Sequence, residues 1–171
     1  QCNFDVADMS VILAGKADAH FDECICQNGT YFALIHNVNG LPEEVGEMEV
    51  TGSRIHSGKE AVLIRSENAE ISFRRTELSS DTGVLIRSEE NDDPARTIPS
   101  DNPYGMHIAF SECRLEGDII HEDPARKMFV DLEKTHMTGA IKGAVLSMDT
   151  GSYWYASADS EITLNGSIFI N

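Results

Sequence analysis

The chain has 171 residues, 41% of them hydrophobic, which suffices for one domain with a sizeable core and excludes a disordered polymer. Lys and Arg number 13 against 29 Asp and Glu, and the resulting net charge of −16 repels nucleic-acid phosphates and anionic membrane surfaces. No apolar run is long enough to cross a bilayer as a helix, so this segment is expected neither to insert into a membrane nor to bind nucleic acid.

In chain order, Ser10-Val11-Ile12-Leu13-Ala14, Phe21-Asp22-Glu23-Cys24-Ile25-Cys26 and Tyr31-Phe32-Ala33-Leu34-Ile35-His36 read as strands, followed by an insertion from Asn39 through Gly46. The next apolar phrase is Glu49-Val50-Thr51-Gly52. Val62-Leu63-Ile64-Arg65-Ser66-Glu67 then recurs unchanged as Val84-Leu85-Ile86-Arg87-Ser88-Glu89, an offset of 22 residues. Two further steps of 22 lead to Met106-His107-Ile108-Ala109-Phe110 and Met128-Phe129-Val130-Asp131-Leu132, and a step of 25 leads to Tyr153-Trp154-Tyr155. Each copy alternates with period two, so Val62, Ile64, Val84, Ile86, Met106, Ile108, Met128 and Val130 are expected to face inward. A second strand per copy places Val50, Ile71, Leu115, Met137 and Ile162 in one expected column. A third carries Ile55, Ile98, Ile120 and Ile141. Short strands repeating every ~22 residues make one coil each of a solenoid. The fold class expected is all-β, a right-handed parallel β-helix. It forms a single domain over 1–171, with irregular early coils over 1–47 and regular coils over 48–171. The chain begins at Gln1 without Met and ends on the apolar Ser167-Ile168-Phe169-Ile170 without a polar cap, so it reads as an excerpt of a longer solenoid.

Two surfaces stand out as candidate sites. The outward column of the repeated strand, Leu63, Leu85, His107, Phe129 and Trp154, would form an apolar stripe ~19 Å long suited to a protein or sugar partner, unless a neighbouring segment covers it. The loop from Asn91 to Gly105 contains three prolines, and its Asp-Pro-Ala-Arg words recur at Asp123-Pro124-Ala125-Arg126. Asp92, Asp93, Asp101, Glu122 and Asp123 could hold Ca2+ or a sugar; ordinary Asp-Pro turns with local Asp–Arg pairing are favoured over that reading. The charged column Arg65, Arg87, Glu67 and Glu89 reads as solvated. Cys2, Cys24, Cys26 and Cys113 match no zinc spacing, and both a Cys2–Cys24 disulfide and buried free thiols stay open. No phosphate-binding, nucleophile-elbow or metalloprotease motif is present, so no catalytic residue and no required cofactor is assigned.

The last third of the chain resembles the β-helical passenger regions of bacterial autotransporters and related surface adhesins. Leu115-Glu116-Gly117-Asp118-Ile119 is similar to their L-x-G-D-I coil, and the stretch Leu132 to Ile141 is similar to the T-G-x-I phrase that follows it. Leu146-Ser147-Met148-Asp149-Thr150-Gly151-Ser152-Tyr153-Trp154 resembles an L-x-x-x-G-S-x-W phrase. The resemblance implies a secreted or cell-surface bacterial module without enzymatic activity, contacting a host protein, a glycan or another copy of itself. Two alternatives are a polysaccharide-active β-helix enzyme, either lyase or glycosidase, and a calcium-stabilised structural module. The acidity weighs against a lyase for acidic glycans, which needs a basic groove.

Overall fold

A computed structural model describes residues 2–38, 41, 44–90 and 105–164. The described strands form one parallel sheet wound around a single axis, a parallel β-helix, and no helix occurs among the described residues. Each coil contributes to three faces. Face 1 stacks β1 (Cys2–Val6), β4 (Cys24–Asn28), β7 (Arg54–Ser57), the first part of β10 (Glu77–Glu89), the first part of β12 (Arg114–His121), β14 (His136–Thr138) and β16 (Tyr153–Tyr155). Face 2 stacks β2 (Val11–Ala14), β5 (Ala33–His36), β8 (Val62–Arg65), the later parts of β10 and β12, and the start of β15 (Ile141–Met148). Face 3 stacks β3 (Asp18–Asp22), β6 (Val45–Thr51), β9 (Asn68–Arg74), β11 (Met106–Ser111), β13 (Met128–Glu133), the end of β15 and β17 (Glu161–Leu164).

Winding supplies the crossover that parallel strands require, and alternation along each strand sends every second side chain inward. The inward columns are continuous. On face 3, Phe21, Val50, Phe73, Phe110, Leu132 and Met148 stand in register. The Phe73 and Phe110 rings stack there at 5.2 Å and 8°. On face 1 the column runs Phe4, Cys26, Ile55, Leu78, Leu115, Met137 and Trp154.

The uniform 22-residue register is corrected by the structure. The duplicated segments pair 24 residues apart: Val62 lies opposite Ile86, Leu63 opposite Arg87, Ile64 opposite Ser88 and Arg65 opposite Glu89. An even slip keeps apolar residues inward, and it replaces Arg65-on-Arg87 repulsion with an Arg65–Glu89 ion pair at 2.6 Å. A β-bulge between Val84 and Ile86 accompanies the slip and turns Leu85 into the core. Met106 does pair with Met128, but on face 3, where its other neighbour is Ala69 and not Val84. The expected second column also divides. Leu115 and Met137 stack on face 1, whereas Val50 and Ile71 belong to two columns of face 3 and Ile162 pairs with Ala144. Of the third set, Ile55 stacks on Leu78, Ile141 pairs with Ile119, and Ile120 pairs with Lys142; Ile98 lies outside the described residues.

The corner from face 3 to face 1 is made the same way in successive coils. A single residue takes positive φ: Glu23 (49°), Gly52 (60°), Arg75 (49°), Glu112 (56°) and Lys134 (47°). The next residue is small and turned inward: Cys24, Ser53, Thr76, Cys113 and Thr135, with Ser152 continuing the series. Their hydroxyls and thiols satisfy the turn. Ser53 Oγ accepts the Cys24 N–H at 3.0 Å, and Thr135 Oγ1 accepts the Cys113 N–H at 3.1 Å. Thr76 Oγ1 donates to the Arg74 carbonyl and Ser152 Oγ to the Leu132 carbonyl. Buried backbone groups that would otherwise be orphaned are thereby paired along a ladder parallel to the axis. At the corner from face 1 to face 2, Gly117 (φ 142°) and Gly139 (φ 154°) stack so closely that a Cβ on Gly139 would lie 1.9 Å from the Gly117 carbonyl oxygen. Asp118 beside them accepts the Ala140 N–H at 2.7 Å, which gives the Leu115–Ile119 phrase its structural role.

Candidate functional site

The third corner, from face 2 to face 3, carries the most unusual chemistry. In the coil of β10 and β11, the strand on face 2 ends at Glu89 and the strand on face 3 begins at Met106. The next coil reaches back across this corner. Arg126 is buried, pairs with Asp123, and donates from Nη2 to the Ser66 carbonyl two coils away at 2.9 Å. Asp123 is also buried and accepts the Ala125 N–H at 2.9 Å in an Asx turn. Such a pair offsets its desolvation only when its remaining donors and acceptors are satisfied. Here Arg126 Nε has no hydrogen-bond partner among the described residues.

Beside this pair lies Glu67, which is fully buried. Its Oε1 accepts the Asn68 N–H at 3.1 Å, while Oε2 has no hydrogen-bond partner among the described residues. Burial pushes the Glu67 carboxyl up to about 7, and the charge of Glu44 adds to that. The Asn68 N–H, the Arg126 charge and the Asn37 amide pull the other way. His121 forms the outer wall. Its Nε2 meets the Arg126 carbonyl at 3.0 Å and must donate there, so Nδ1 accepts from the Ser88 hydroxyl at 2.6 Å. Burial lowers the His121 pKa below the ordinary imidazole value, which favours the neutral ring. Further out, Arg87 bridges Glu60 at 3.0 Å and Glu122 at 2.7 Å.

The expected acidic loop is therefore divided. Glu122 is committed to Arg87 and Asp123 to Arg126, while Asp92, Asp93 and Asp101 lie outside the described residues. Among the described residues no three His, Cys, Asp or Glu side chains converge as metal ligands.

The expected stripe is not one column. Leu63 points outward on face 2 between Leu34 and Arg87, yet it is only 3% exposed, so it offers nothing to a partner from solvent. Leu85 is inside the core through the bulge. His107 and Phe129 do adjoin on the outside of face 3, with rings stacked at 4.6 Å and 12°. Trp154 turns inward on face 1 above Met137, and its Nε1 donates to the Gly139 carbonyl at 2.8 Å. The physical reason is register: β10 ends on face 2 at Glu89 and β11 begins on face 3 at Met106, so residues 22 apart land on different faces.

With Trp154 inward, Tyr153 and Tyr155 must point outward, and they are 67% and 72% exposed. Tyr153 meets His136 of the previous coil edge-on at 5.1 Å. These three residues were not singled out from the sequence. The available signal was the alternation of Tyr153-Trp154-Tyr155 itself, because fixing the facing of one aromatic fixes the other two. Comparison with protein-family models found no match, and comparisons with curated proteins and with solved structures found none either.

Proposed function

We propose that this chain is a non-enzymatic, adhesin-like β-helix module of the bacterial surface or exterior, a stiff scaffold whose outer face contacts a protein or glycan. The observation that carries the reading is the outward pair Tyr153 and Tyr155 beside His136 on face 1. Exposed tyrosines on a rigid strand present apolar faces with polar tips at little entropic cost, which suits stacking against a sugar ring or a partner side chain. The twofold spacing along the strand sets the rings about 7 Å apart on one surface. The resemblance of the Leu115–Trp154 phrases to autotransporter passengers supports the surface location.

The test is binding to a glycan array and to host extracellular-matrix proteins, followed by the Tyr153→Ala/Tyr155→Ala variant. The expected result is a ligand whose affinity falls by about tenfold or more in the variant. Binding unchanged by the double substitution sinks the tyrosine surface, and release of products from a polysaccharide panel sinks the non-enzymatic reading.

A polysaccharide-active enzyme is the second reading, and Glu67 favours it. A carboxyl pushed up to about 7 is in the range of a general acid. Its complete burial weighs against it, because a general acid must reach the glycosidic oxygen. If polysaccharide turnover is found, its loss in Glu67→Gln assigns that role.

A further inference from the structure

Cys2, Cys24, Cys26 and Cys113 are all reduced, with Cys2 exposed and the others buried. The corner ladder decides which of them can meet. β1 pairs with β4 so that Cys2 stands opposite Cys24. Cys113 has Thr135 as one neighbouring rung, and Arg114 beside it bonds to the Thr76 carbonyl of the other. Cys26 is flanked in its column by Phe4 and Ile55. Residues opposite each other on neighbouring parallel strands have Cα atoms about 4.8 Å apart, within the roughly 4.4–6.8 Å that a disulfide spans. The diagonal from Cys2 to Cys26 adds two residues of rise, giving about 8 Å, which is too far. The two sulfurs also sense each other. After burial, the charge of Cys2 and its hydrogen bond are among the influences that hold the Cys24 thiol above its ordinary pKa.

We propose that Cys2 and Cys24 form a reversible disulfide between the first two described coils. In the step, the exposed Cys2 thiolate attacks a low-molecular-weight disulfide such as oxidised glutathione. Its S–S bond breaks and one glutathione thiolate leaves. Cys24 then gives up its proton, and its thiolate attacks the Cys2 sulfur of the mixed disulfide, expelling the second glutathione. Two protein thiols are oxidised, one glutathione disulfide is reduced to two thiols, and the two protons pass to the leaving thiolates. The bond lies across the ladder that ties β1 to β4, so it locks the register of a coil that the other described coils contact on one side only.

The test incubates the reduced chain with oxidised glutathione, traps remaining thiols with N-ethylmaleimide under denaturing conditions, and reads intact mass and a proteolytic map. The expected result is loss of about 2 Da before trapping, two alkylated cysteines, and a linked peptide pair containing Cys2 and Cys24. Cys26→Ser and Cys113→Ser retain the link, and Cys2→Ser, at an exposed position, loses it. Amide exchange in β1–β3 slows by about tenfold on oxidation, while β13–β15 are unaffected. A glutathione adduct that persists on Cys2, a link through Cys26 or Cys113, a dimer through Cys2, or four trapped thiols overturns the proposal.

Discussion

Two corners of the same β-helix follow opposite rules. From face 3 to face 1, successive coils turn on one left-handed residue followed by a small inward Cys, Ser or Thr. From face 2 to face 3, the chain length between strands varies, from Gly143 alone to the stretch between Glu89 and Met106, and the buried side chains Glu67, Asp123 and Arg126 collect there. A corner whose backbone groups are satisfied by a repeating ladder has no slack for insertions. At a corner that admits them the ladder is absent, and here polar side chains of different coils bond to one another instead. Variation and candidate chemistry thus fall on the same edge, as they do for loops on rigid scaffolds generally.

The contrast is sharpest if the irregular corner is broken first. Arg126→Ala should cost about 3–5 kcal/mol in urea unfolding, because it leaves Asp123 buried without its charge partner and removes the bond from Nη2 to the Ser66 carbonyl. Replacing both members of the pair with apolar residues of similar volume should restore much of the loss. If Arg126→Ala is neutral, the pair does not hold this corner together.

Glu67→Gln gives the next effect and isolates it by pH. The Glu67 pKa is raised in the folded state to about 7 from the ordinary value of 4.5, so its contribution is fully present below pH 4.5 and is lost as pH rises toward and through 7. Between pH 5 and 8 the wild-type chain should therefore lose roughly 2 kcal/mol relative to Glu67→Gln. His121 works in the opposite direction. Its folded pKa is depressed, so its contribution is lost as pH falls from the ordinary imidazole range through the lowered value. That term is common to both proteins and cancels in the difference. Parallel pH profiles would show that Glu67 titrates normally.

The regular corner should respond least. Thr135→Val removes the acceptor for the Cys113 N–H and a donor to the Phe110 and Glu133 carbonyls, at a cost of about 1–2 kcal/mol. Lys134→Gly beside it should stay within about 1 kcal/mol of wild type, since Gly52 already occupies the same turn position and relief of the left-handed strain offsets the added chain entropy. A larger effect of Lys134→Gly than of Thr135→Val would mean that the turn residue, not the ladder, sets this corner.

Much of the fold was legible because side-chain facing is a local property. The period-two alternation identified Val62, Ile64, Met106, Ile108, Met128 and Val130 as inward, and each is buried. Stacking register was not legible in the same way. It depends on where bulges and crossings between faces fall: the bulge at Leu85 shifts the register, and Met106 stacks on Ala69 of face 3, not on Val84 of face 2. The Cys/Ser/Thr ladder was present in the sequence at 24, 53, 76, 113, 135 and 152. Its spacing is uneven, so it emerges only once the coils are aligned by their corners. The tyrosine surface was hidden for a related reason, since the facing of Trp154 decides it.

The duplicated Val-Leu-Ile-Arg-Ser-Glu marks the boundary between what sequence and tertiary structure decide. The sequence determined that both copies are strands of a parallel solenoid with their Val and Ile turned inward. The tertiary structure decided everything that differs between them. Leu63 points outward and Leu85 inward. Ser66 forms a left-handed turn (φ 49°), and Ser88 continues its strand and donates to His121. Glu89 pairs with Arg65 at the surface, whereas Glu67 is buried beside Arg126 with its carboxyl pushed up to about 7. Six identical residues carry the same propensities and the same alternation, but the coil above, the coil below and the corner that follows set their packing and their charge.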